Sequence, residues 1–144
     1  MEKFAKPFGK EFVEQLLPQK FPFVMVDTLS AYNEEALISG LKITSDNIFF
    51  DKQHFNESGL IEHMAQSVAL HTGYQFFLKQ EPAPTGYIGS IKEIIINKLP
   101  ELHDVITTTV KVLHEFAGIT LVDISTKLND EEIASGQMKT ILAK

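Results

Sequence analysis

The sequence predicts an α+β fold in which one curved antiparallel sheet wraps a single long helix. Three observations carry this reading. Residues 58–79 form an apolar run long enough for a buried helix. Two extended segments precede it and four follow, divided by turn residues. Helix and strand do not alternate as they would around a parallel sheet. The 144 residues suit one domain, 1–144, and a composition 44% hydrophobic and 22% charged supplies a core without staples.

In chain order, KEFVEQLL at 10–17 reads as a short amphipathic helix stopped by Pro18. FPFVMVDTLSAY, 21–32, reads as a strand starting after Pro22 and apolar on both faces. Asn33-Glu34-Glu35 is a turn into EALISGLKIT, which pairs back as a hairpin. Residues 45–57 are polar and irregular, with Phe49-Phe50 within them. The long helix runs from about Ser58 to Lys79, and Glu81-Pro82-Ala83-Pro84 ends it. Strands are then expected at 86–99, 105–117, 119–128 and 131–143, with turns at Gly118 and Asn129-Asp130. One sheet cannot cover the helix completely. This is the hotdog layout, and a homodimer is its expected minimum.

Composition excludes several functions. There is no cysteine, so thiolate nucleophiles, zinc-thiolate sites and disulfides are ruled out. Formal net charge is −6 and every basic residue is lysine, which argues against nucleic-acid binding. No segment reaches the roughly 18 consecutive apolar residues of a membrane span. The charged N-terminus, broken by Pro7 and Gly9, does not read as a secretory signal, so the cytoplasm is the expected location.

The chemistry sits in HFNESGLIEHMAQSVALHTGYQF, 54–76. At about 100° per residue, Glu62, Ala65, Gln66, Ala69, Gly73 and Phe76 share one helix flank. Glu62 and Gln66 lie one turn apart, beside small residues that leave room for a groove or another backbone. Leu60, Met64, Ser67, His71 and Leu78 line the opposite side. Two readings of Glu62 stand. An acid near a helix start meets the macrodipole favourably, or it faces a pocket as a functional group. His54, just upstream, reads as a loop histidine or a catalyst. His103 and His114 read as surface or strand residues, and Phe49, Phe50, Phe55, Phe76 and Phe77 as packing.

The segments LLPQKFPFVMVDTL, LIEHMAQSVAL, GYIGSIKEIIINKLPELHD and IASGQMKTIL, in that order along the chain, together resemble the beta-hydroxyacyl-(acyl carrier protein) dehydratases, and within them the shortened branch of aryl-polyene and pigment pathways. LLPQKFPFVMVDTL, 16–29, is similar to the family's Leu-Pro-His-Arg-x-Pro-hydrophobic-Val-Asp opening, with Gln19-Lys20 in place of His-Arg. LIEHMAQSVAL, 60–70, resembles its Glu-Ala-Met-Ala-Gln helix motif at Glu62, Met64, Ala65 and Gln66. GYIGSIKEIIINKLPELHD, 86–104, and IASGQMKTIL, 133–142, resemble its later strands.

The resemblance implies dehydration of 3-hydroxyacyl thioesters on acyl carrier protein to trans-2-enoyl thioesters, with no metal or redox cofactor. The substrate is carried on phosphopantetheine. In the family a histidine from a Gly-His-Phe-Pro-Gly loop removes the C2 proton. A helix acid from the other subunit handles the departing hydroxyl, and a backbone N–H near the helix start polarises the carbonyl. Carried over, Glu62 is the acid and His54 the base, with Gly59, Gln66, Ala69 and Gly89 binding substrate. The match is uneven. Asn56-Glu57 replace the loop's Pro-Gly, and His54 lies closer to Glu62 than the family spacing. His63 or His71 is an alternative imidazole. Lys92 and Lys98 are candidates for docking the acidic carrier protein. Two other outcomes stay open, a non-catalytic partner subunit in a dehydratase heterodimer and a hotdog thioesterase.

Overall fold

The computed structural model describes residues 1–143. Its strands are β1 (Lys3–Phe8), β2 (Thr28–Asn33), β3 (Ala36–Lys42), β4 (Gly86–Ile96), β5 (Val105–Phe116), β6 (Ile119–Leu128) and β7 (Glu131–Leu142). Its helices are α1 (Lys10–Leu16) and α2 (Glu57–Leu78). The strands form one sheet in the order β1-β2-β3-β5-β6-β7-β4, every pair antiparallel. Sheet and central helix are those of the hotdog fold.

Register explains the core. Leu37, Val110 and Ile124 pair across β3, β5 and β6, and Leu41, Ile106 and Leu128 form a second row four residues away. All six are buried under α2 with Leu60, Met64 and Val68. Between these apolar rows runs a polar one, Ser39, Thr108 and Thr126, buried with the rest. The helix meets it with polar groups of its own. Ser67 Oγ donates to the His63 carbonyl at 2.8 Å and lies 2.7 Å from Ser39 Oγ, which therefore donates to it.

The expected strand at 21–32 is corrected. Only Thr28–Asn33 is strand, because α2 side chains take the backbone bonds that a neighbouring strand would have made. Met25 N–H donates to Gln66 Oε1 at 2.7 Å, and His63 Nδ1 meets the Met25 carbonyl at 2.7 Å. The Phe23 carbonyl accepts from Gln66 Nε2 at 2.8 Å. A buried segment needs these partners but does not need a ladder.

β1 lies where the sequence suggested only a broken terminus. It sits at the sheet edge, where Pro7 removes no needed donor. Aromatic packing holds it down. Ring centroids are 4.5 Å apart for Phe8–Phe12 and 6.0 Å for Phe4–Tyr74. Gly73 lets α1 close against α2, since a Cβ there would sit 2.3 Å from the Leu16 carbonyl oxygen.

Candidate active site

α2 begins one residue before its expected start, and Asn56 caps it. The Asn56 side chain accepts from the Gly59 N–H at 2.9 Å. Glu62 therefore stands in the second turn, beyond the first turn where a dipole interaction alone would explain it. Its carboxylate is half-buried, and Oε2 accepts from Gln66 Nε2 at 2.7 Å. Gln66 is itself buried, and its amide makes three bonds: to Met25, to Phe23 and to Glu62. It locks the acid to a rigid wall and fixes which oxygen faces outward.

Glu62 opens onto a cavity of about 160 Å³ between α2 and the start of β4. Ala65, Ala69 and Thr72 continue its helix wall, and Tyr87 and Pro84 stand opposite. Glu62 and Thr72 are ten residues apart, about 15 Å along the axis. Apart from the carboxylate at one end, this wall is small and largely apolar.

Among the described residues, none of the five histidines lines that cavity. His54 lies in the 51–55 loop, where its N–H donates to Asp51 Oδ1 at 2.9 Å and its backbone bridges to Glu101. The N–H groups of His54 and Gln53 hold the Asp51 carboxyl below the usual carboxylate range. His63 is fully buried on the sheet side of α2, with Nε2 2.7 Å from Thr108 Oγ1 and that hydroxyl 2.6 Å from Thr126 Oγ1. The Met25 carbonyl only accepts, so Nδ1 carries the proton and Nε2 accepts from Thr108. Burial pushes the His63 pKa down to about 4, against the opposing pull of the Met25 carbonyl and Asp27. His71 donates to the Asn33 carbonyl at 2.9 Å, and burial lowers its pKa too.

The structure thus brings Glu62, Gln66 and Ala69 together and leaves three other sequence-predicted site residues apart from them. Gly59 packs inward, where a Cβ would meet Phe49 and Phe55 within 2.6 Å, and its N–H is already spent on Asn56. Gly89 sits at a β4 irregularity against Ile141. His54 faces elsewhere. Lys92 is exposed on β4, and Lys98 makes an exposed ion pair with Glu131 at 3.8 Å. Tyr87, Thr72 and Gln19 line the cavity without having been singled out for it. Helical spacing from Glu62 reaches Thr72, but nothing local connects residues 19 and 87 to it.

Residues 12–144 match the ApeP-like family, described as ApeP dehydratase. The chain belongs to the ApeP-like dehydratase family. The chain is also 28% identical over 133 residues to the 3-hydroxyacyl-[acyl-carrier-protein] dehydratase FabZ of Vibrio cholerae, covering 88% of this chain and 86% of that one. It is 26% identical over 137 residues to the FabZ of Vibrio atlanticus, covering 88% of each. Among solved structures, a chain of the dehydratase heterocomplex ApeI:P from Xenorhabdus doucetiae superposes with a TM-score of 0.80 at 14% identity, covering 92% of this chain and 91% of that one. The E. coli PaaI protein superposes at 0.64 with 14% identity, covering 78% and 80%. At such identities these two show the hotdog fold. The ApeP-like match carries the dehydratase class, and no helix is long and apolar enough to cross a membrane.

Proposed function

We propose that this chain is one subunit of a dehydratase that converts 3-hydroxyacyl thioesters on acyl carrier protein to trans-2-enoyl thioesters, and that Glu62 is the acid of a site completed by a second hotdog subunit. The observation that carries it is an anchored carboxylate at the end of an apolar cavity that no imidazole of the same chain lines.

The chemistry divides naturally between two subunits. Hydroxide is a poor leaving group and needs a proton, which Glu62 supplies at C3. The weakly acidic C2 proton needs a base held on the other side of the acyl chain. The thioester carbonyl needs a preorganised donor. The Gly59 N–H is bound to Asn56, so that donor comes from elsewhere. Base and donor are assigned to the second subunit. If that subunit is a second copy, His54 is the imidazole each chain offers its partner.

The sheet offers a place for such a subunit. β4 is an eleven-residue edge with Tyr87, Ile88, Ile91 and Ile95 exposed. A long apolar edge left open is an aggregation site, and a second sheet pairing with it removes the hazard. The similar Xenorhabdus structure is a dehydratase heterocomplex, and the same place in a two-subunit enzyme suits this chain. The acyl chain runs from Glu62 along Ala65, Ala69 and Thr72.

Mass spectrometry of a 3-hydroxyacyl carrier-protein thioester after incubation tests the reaction. Loss of one water with the thioester intact is expected, from this chain alone or with a second hotdog subunit added. A free carrier thiol, with no water lost, would replace this reading by a thioesterase.

A further inference from the structure

We propose that Gln19 is the second polar contact of the Glu62 cavity, its side-chain Oε1 accepting the proton of the substrate's 3-hydroxyl. This rests on the dehydratase reading above and assigns a specificity-determining residue to that site.

Gln19 lines the same cavity as Glu62. Its Oε1 is enclosed, yet it has no hydrogen-bond donor among the described residues. Buried acceptors are almost always paired, because leaving one unpaired forfeits its hydration without return. One other side-chain atom, Ser90 Oγ, shares that condition, and Ser90 does not line the cavity. The contrast with Gln66 is direct. Gln66 is bonded to the acid and Gln19 lines the acid's cavity, but Gln66 uses its amide on the protein while Gln19 Oε1 is unused.

The segment that carries Gln19 is held in place. Its neighbour Lys20 donates to the Glu14 carbonyl at 2.7 Å and the Leu17 carbonyl at 3.2 Å, closing the end of α1. Pro18, on the other side, lines the cavity with it. An enclosed acceptor on a fixed wall is therefore a site awaiting a donor.

A 3-hydroxyl supplies that donor. Its oxygen receives a proton from Glu62, and its own hydrogen needs an acceptor, which the enclosed and unpaired Gln19 Oε1 provides. With Gln19 as that acceptor, the hydroxyl is held from two sides and the C3–O bond is directed. When that bond breaks, its electron pair stays with the oxygen. The C2–H pair becomes the C2=C3 double bond, and the C2 proton goes to the base of the second subunit. Water leaves with one hydrogen from Glu62 and one still donated to Gln19. An acyl thioester without the hydroxyl leaves Oε1 unpaired and is discriminated against.

The test uses two unreactive pantetheine amides of one acyl length, one with a 3-hydroxyl and one without. Their dissociation constants are measured on the assembled protein by calorimetry. Wild type is expected to favour the hydroxylated ligand by about tenfold, as one neutral hydrogen bond allows. Gln19→Leu and Gln19→Met should lose the preference, binding the two ligands with equal affinity. Gln19→Glu, which keeps an acceptor, should retain it. Melting temperature should not fall in Gln19→Met, since no intrachain bond of Oε1 is lost. A preference that survives in both Gln19→Leu and Gln19→Met would overturn the proposal. So would a wild type that binds both ligands equally, which leaves the dehydratase cavity standing. If neither ligand binds, the cavity reading fails and this proposal fails with it.

Discussion

Glu62→Ala is expected to slow dehydration by at least about a hundredfold, the loss typical when a positioned general acid is removed. The effect should fall on the chemical step. Glu62 is half-buried and makes one intrachain side-chain bond, to Gln66 Nε2, which keeps its bond to the Phe23 carbonyl when the acid is gone. Folding and binding of unreactive acyl ligands should therefore persist. Glu62→Gln separates proton supply from shape. It keeps the size and an oxygen for Gln66 but cannot give up a proton, so it should be nearly as slow as the alanine variant. Initial rates of enoyl formation under saturating substrate check both. A Glu62→Gln variant within tenfold of wild type would remove Glu62 from the chemistry.

The second large effect is on stability and comes from His63. Its folded pKa is about 4, against 6.5 for the free side chain. Between those values the unfolded chain binds a proton that the folded chain refuses. Stability is full above about pH 6.5 and falls as pH drops toward 4, with about 3 kcal/mol lost across the window. His71, also lowered by burial, adds loss in the same direction. The geometry explains the sign. A protonated ring could not accept from Thr108, and its charge would sit fully buried. Urea midpoints measured from pH 7 to 4 should fall steadily. In His63→Ala the acid slope should flatten while stability at pH 7 drops by about 3 kcal/mol, from a cavity and from the unpaired Met25 carbonyl. Midpoints constant from pH 7 to 4 would contradict this.

Most of the fold was legible because it is written locally. The β6 bounds match their expected range, and α2 starts and stops within one residue of its apolar run. The two errors share one cause, the partner of a backbone group. Residues 21–27 look like a strand, but the Phe23 carbonyl and both backbone groups of Met25 bond Gln66 and His63, forty or so positions away. The terminus read only as charged and broken by Pro7 and Gly9, whereas the edge of a sheet accepts Pro7 in β1.

The site divides along the same line. Helical spacing places Glu62, Gln66 and Ala69 together, and the structure keeps them so. Spacing also puts His63 beside Glu62 in sequence, but one residue of helix turns it to the sheet, where Thr108 and Thr126 receive it. Gln19 carried no local sign of its position, since its place in the cavity depends on how the segment after α1 crosses the helix. The capping role of Asn56 follows from a residue type favoured there, but its consequence for Gly59 appears only in three dimensions.

The shared site is tested by turnover of a chain held monomeric. Ile91→Lys puts a charge on the exposed β4 edge, at a residue that takes no part in the His63 and Gln66 bonds. Sedimentation is expected to show one chain for this variant and two for the wild type, with an unchanged circular dichroism spectrum. Dehydration by that monomer should be lost by about a hundredfold or more, because Glu62 then has no base opposite it. A folded monomer that dehydrates a 3-hydroxyacyl carrier thioester at the rate of the assembly would mean the site is complete within one chain.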